Sequence, residues 1–70
     1  MNLTIAKKHI ENQLNVFHIF QYKGSRNQVD EFSGKIVFCF SSIFLILTDN
    51  NHYKSFSYND YIANFFRFIS

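Results

Sequence analysis

One cysteine, three histidines and a pair of adjacent carboxylates are the side chains of this chain that carry the chemistry of nucleophiles, metal ligands or acid–base catalysts. Cys39 stands between Phe38 and Phe40. Apolar neighbours disfavour the thiolate, the form that attacks electrophiles, so a packed core cysteine is expected. His9, His18 and His52 fall on three separate predicted elements, with no second cysteine or spaced carboxylate to complete a four-ligand shell. They are expected at the surface or rim. Asp30 and Glu31 are neighbours on a predicted strand and must point to opposite faces, which does not suit paired acid–base work. The reading is therefore non-enzymatic, with no metal, cofactor or small-molecule substrate.

The elements that must position these residues follow from hydrophobic period. The 13 residues from Ile36 to Thr48 carry no charge, and two strand-length halves, Ile36–Phe40 and Ile43–Leu47, flank Ser41-Ser42. Both halves are dominated by β-branched and aromatic side chains, which pack best on a pleated surface. Ahead of them, Leu3, Ala6, Ile10 and Leu14 recur at helical spacing, predicting an N-terminal helix within residues 1–14 that is capped by Asn2 or Thr4. From Val16 to Lys23 the period shortens to near two, giving a first strand that ends at the turn-prone Gly24-Ser25-Arg26-Asn27.

The second strand is expected from Gln28 or Val29 to Phe40, with a bulge or bend at Gly34. The third spans Ile43–Thr48, and Asp49-Asn50-Asn51-His52 marks a hairpin into a fourth at Tyr53–Ser57. A single 3₁₀-like turn at Tyr58–Ile62 then leads to a last strand, Ala63–Ile69, with an Asx-type turn at Asn59-Asp60 orienting Tyr58 and Tyr61. Five short strands in meandering order, with a one-turn helical step before the last, predict a mainly β fold. Residues 15–70 form a small five-stranded SH3-like barrel, and the helix of residues 1–14 packs over it within a single domain.

Size and composition bound the function. Seventy residues make one small core of marginal stability, and the lone Cys39 excludes an internal disulfide, so association with a partner or a second copy is the expected reinforcement. A reducing, cytoplasmic setting fits. The uncharged run falls short of the roughly 20 apolar residues of a membrane span, and Lys7-Lys8 is followed by polar residues instead of the apolar stretch of a signal peptide. A formal charge of +2 neither demands nor excludes a nucleic acid. Ten Phe and four Tyr without Trp or Pro are also what an AT-rich coding sequence favours.

In that order of elements the chain resembles the Veg family of small bacterial proteins. The resemblance rests on Gly24-x-Arg26, Ser33-Gly34-Lys35-Ile36, Ser42-Ile43-Phe44-Leu45-Ile46 leading to Leu47-x-Asp49, and Phe56-Ser57-Tyr58-x-Asp60-Tyr61-Ile62. It implies an SH3-like barrel and a regulatory role, in control of transcription and stimulation of biofilm formation. The hairpin at Asn50–Tyr53 is shorter than the family's, and the first loop is less basic, Arg26 being followed by Asn27-Gln28-Val29.

Two surfaces are the candidates for binding. Phe65, Phe66, Phe68 and Ile69 place apolar groups on both faces of the last strand, as Phe38 and Cys39 do in the second. One barrel interior cannot hold both sets, so the surplus lies under the helix or in an interface. Phe65, Phe66 and Phe68 are accordingly predicted to touch a protein partner, with homodimerisation as one form of that contact. The alternative is a nucleic-acid surface built from Lys23, Arg26, Lys35 and Lys54, either in isolation or within a ribonucleoprotein or polymerase assembly.

Overall fold

The side chain of Asn2 accepts the Ile5 amide at 2.9 Å and so starts helix α1, Leu3–Glu11, in the computed structural model, which describes residues 1–24 and 28–70. Ala6 and Ile10 are its buried residues and join the same core as the strands. The helix ends three residues short of Leu14, which instead forms a parallel bridge to Ile36. Asn15, at φ 63°, turns the chain there in a left-handed conformation that asparagine tolerates better than most residues.

Five strands follow: β1 Phe17–Lys23, β2 Val29–Cys39, β3 Ile43–Thr48, β4 Tyr53–Ser57 and β5 Phe66–Phe68, with helix α2, Tyr58–Ile62, between the last two. They form one antiparallel sheet in the order β4-β3-β2-β1-β5. The sheet curls until its two end strands meet through their side chains, the rings of Phe56 and Phe66 lying 5.0 Å apart. This is the small SH3-like barrel expected from the strand order. The second hairpin turn also matches, Asn51 adopting φ 63° between Thr48 and His52; at the first, Gly24 donates to the carbonyl of Gln28 at 2.8 Å, and Ser25-Arg26-Asn27 of the expected turn lie outside the described residues.

Three details of the prediction change. The irregularity in β2 falls between Ile36 and Phe38, not at Gly34. Ile36 pairs with Ile46 and Phe38 with Leu45, so Val37 is the extra residue that reverses the alternation and turns Phe38 outward and Cys39 inward. Gly34 serves a different need: a Cβ there would overlap the carbonyl oxygen of Leu47 and come within 2.8 Å of Thr48 Cα.

Tyr58–Ile62 is a full α-helical turn instead of a 3₁₀ step. A capping box holds it, with Asp60 N donating to Ser57 Oγ at 3.1 Å and Ser57 N donating to Asp60 Oδ2 at 3.3 Å. Asp60 therefore acts from the third helical position and not in an Asx turn. The last strand is correspondingly shorter than Ala63–Ile69, because Ala63 caps α2 and Asn64 turns at φ 65°.

The core is a chain of ring contacts. Phe20, Phe44, Tyr58 and Phe66 are fully buried with Ile10, Ile36 and Ile46, and Phe32, Phe56 and Phe68 pack against them. Phe44 meets Phe66 edge-on at 5.0 Å, while Phe32 and Phe56 stack at 5.6 Å. Such pairs add about 0.5–1.5 kcal/mol each beyond their area burial.

Candidate protein-binding face

Antiparallel register assigns every strand residue to the inside or outside of the barrel, because directly opposed residues share a face. One cross-strand row on the outside runs Phe17, Lys35, Leu47, Tyr53 through β1, β2, β3 and β4. The next row toward Ile43 contains Phe38, Leu45 and Ser55, and beyond it Ile43 opposes Ser57. On the other side of the first row, Ile19 pairs with Ser33, and Asp49 reaches Ser33 through an N–H to carbonyl bond of 3.1 Å and the Ser33 hydroxyl at 2.6 Å.

This outer face is largely apolar, interrupted by Lys35, Ser55 and Ser57. Phe17 and Tyr53 are each 62% exposed, Phe38 55% and Ile43 41%, with Leu45 and Leu47 half-buried between them. Contiguous exposed apolar area of this kind marks association surfaces. Its charges are Lys35 and Asp49, which line a common cleft of about 300 Å³ with Phe17 and Leu47. Among the described residues Lys35 forms no ion pair, the salt bridge present being that of Lys54 with Asp30.

The predicted contact residues divide. Phe66 is fully buried among Phe20, Phe44 and Phe56, so it is a core residue and does not reach a partner. Phe68 is half-buried against His18 and Tyr61, filling the space beside α2. Phe65 is 50% exposed, yet it sits at the far end of β1, where its carbonyl accepts Lys23 N at 2.7 Å. A polar row of Arg67, Gln21 and Glu31 separates it from the apolar face.

The cations do not converge as the nucleic-acid reading required. Lys35 opposes the outward Leu47, whereas Lys54 opposes the core residue Ile46 and so lies on the inner side of the sheet. There its Nζ is 2.9 Å from Asp30 Oδ2 and 5.0 Å above the Phe32 ring. Lys23 ends β1 at the opposite extremity from Phe17, and Arg26 lies outside the described residues.

No protein-family model matches the chain, and no curated protein matches it with significant similarity.

The residues first suspected of chemistry are engaged otherwise. Cys39 is half-buried against the core, and burial pushes its thiol above the ordinary value while the adjacent Tyr58 hydroxyl pulls it the other way. His9 and His18, remote in sequence, share a groove of about 360 Å³ with Asn12, Gln13, Tyr61 and Phe68. His18 Nδ1 is 2.8 Å from the Ser70 carbonyl and its Nε2 is 2.7 Å from the Gln13 side-chain amide, so the ring lies between the helix exit and the residues after β5. Among the described residues no three His, Cys, Asp or Glu side chains gather where they could share a metal. No described helix is long and apolar enough to cross a membrane.

Sequence reasoning put apolar groups on both faces of β2 without settling which of Phe38 and Cys39 points outward. The alternation along β2 reverses at Val37, so counting by twos from Ile36 puts Phe38 inside. The signal that could have found this face was the apolar character of the outward set in β3, Ile43, Leu45 and Leu47, which alternates with the inward Phe44 and Ile46.

Proposed function

We propose that this chain is a non-enzymatic binding module whose outer sheet face docks a protein that presents apolar side chains and a carboxylate opposite Lys35. The observation that carries the reading is the run of exposed apolar groups over successive cross-strand rows, from Phe17 and Tyr53 to Phe38 and Ile43. A solvated barrel wall would alternate apolar-in with polar-out. Lys35, without an ion pair among the described residues and set between Phe17 and Leu47, supplies the charge that a complementary acidic group satisfies.

Binding is favoured over catalysis by what the reactive groups already do. Asp60 caps a helix, Asp30 holds Lys54, and burial favours the protonated thiol of Cys39 over the nucleophilic thiolate. The resemblance to the Veg family supports a regulatory setting, in control of transcription with its link to biofilm formation. The single cysteine supports a reducing, cytoplasmic location.

The test is a pull-down of the tagged chain from its own cell lysate, split into nuclease-treated and untreated halves. Wild type and Phe65→Ser should both retain a discrete nuclease-resistant protein, the chain's own untagged copy included, and Phe38→Ser should lose it. Equal retention by folded Phe38→Ser would place the contact elsewhere. Loss of all co-purifying material on nuclease treatment would replace the reading with nucleic-acid binding.

A further inference from the structure

We infer that the protein docked on this face is a second copy of the same chain, related by a two-fold axis that sets Lys35 of each copy against Asp49 of the other. The inference rests on the reading of the face given above and names its partner. Two-fold association uses the same patch on both copies, so a patch that closes on itself must carry both members of each complementary pair. This one does. Its cation and its anion lie in one cleft, Lys35 beside Leu47 in register and Asp49 just past the end of β3. They are neighbours that do not bond to each other: Asp49 takes the Ser33 hydroxyl at 2.6 Å, and Lys35 has no ion pair among the described residues.

A rotation of 180° about an axis lying in the face, midway between the two charges, exchanges their positions. Each Lys35 then faces the second copy's Asp49, giving two equivalent ion pairs within an apolar surround. Phe17 and Tyr53, exposed at opposite ends of the Lys35 row, flank the two charges with apolar surface. A standard interface takes about 800 Å² from each partner, which is roughly a sixth of this chain's surface of 4693 Å².

Association is read by sedimentation velocity over a dilution series, with circular dichroism confirming that each variant is folded. Wild type should sediment as a dimer that dissociates on dilution. Lys35→Glu alone sets glutamate against Asp49, and Asp49→Lys alone sets lysine against Lys35. Each should weaken dimerisation at least about a hundredfold, since like charges opposed in an interface cost several powers of ten in affinity once symmetry doubles them. An equimolar mixture of the two variants should recover the dimer, because both of its ion pairs are then of opposite sign. Phe17→Ser should also be monomeric, and it carries the test if Asp49→Lys fails to fold.

A wild type that stays monomeric to its solubility limit overturns the inference. So does a Lys35→Glu or Phe17→Ser variant that dimerises as tightly as wild type. Neither result touches the broader reading of the face, which is decided separately by the response of Phe38→Ser in the pull-down.

Discussion

The hydroxyl of Tyr58 donates to the carbonyl oxygen of Phe40 at 2.7 Å, bonding the first residue of α2 to the residue that follows β2. Tyr58 is fully buried, and its ring packs on Phe44 at 5.4 Å. One side chain thus joins the short helix, the core and the far end of the long bulged strand. Removing only the hydroxyl, in Tyr58→Phe, leaves the Phe40 carbonyl without its side-chain donor and should cost about 1 kcal/mol. For a domain of this size that is a fall in Tm of about 4–8 °C. An unchanged thermal transition would show that water replaces the donor without loss.

The same burial gives the fold an alkaline limit. Desolvation foremost, and after it the charge and hydrogen bond of Cys39, push the Tyr58 hydroxyl from the ordinary 10.0 up to about 12. The folded state therefore keeps a proton that the unfolded state releases. Its stabilising contribution is complete below about pH 10 and is lost between about pH 10 and 12, at up to about 1.4 kcal/mol per pH unit. Tyrosinate absorbance should show one tyrosine ionising late and together with unfolding. Ionisation of all the tyrosines in one early step, with the fold intact, would contradict this.

Gly34 has no room for a side chain. In Gly34→Ala the new methyl meets the Leu47 carbonyl and Thr48 Cα, both backbone and both fixed by pairing of β2 with β3. The strands must part, at a cost of about 3 kcal/mol or more. Urea denaturation should show a midpoint lowered by much of its wild-type value, and an unchanged midpoint would mean that β3 shifts freely.

Phe65 and Phe66 are adjacent and should behave as opposites. Phe66→Ala empties a site shared by Phe20, Phe44 and Phe56 and should cost about 3–5 kcal/mol, enough to unfold a large fraction of so small a domain. Phe65→Ala, at an exposed position, should stay within about 0.5 kcal/mol of wild type. Thermal denaturation of the two variants decides it. Similar losses in both would place Phe65 in the core as well.

The capping box of α2 gives a smaller and more local effect. Ser57→Ala removes the acceptor of the Asp60 amide and should destabilise by about 1 kcal/mol. Hydrogen exchange should report it first at the amides of residues 59–62. Exchange there at wild-type rates would mean that burial of Tyr58, not the cap, holds the turn.

Local sequence was enough for the elements and their order. The extent of β3 follows from its apolar run after Ser41-Ser42, and the hairpin at Asn50-Asn51 from the left-handed tolerance of asparagine. These are properties of a residue and its immediate neighbours. The shape of α2 and β5 required more, because the Ser57–Asp60 cap and the Asn64 turn convert an expected seven-residue strand into three residues of pairing.

Which side of the barrel each residue occupies belongs to the tertiary structure. Alternation along a strand gives two faces without saying which is inner, and a single bulged residue, Val37, exchanges them for the rest of β2. For that reason Phe38 and Phe66, alike in sequence as phenylalanines in apolar strands, end on opposite sides, one exposed on the candidate face and one in the core. The pairing of Lys54 with Asp30 across the inner side, and the meeting of Lys35 with Asp49 in one cleft, likewise arise from strand register. Register is set by the packing of the whole sheet, and no short window of sequence contains it.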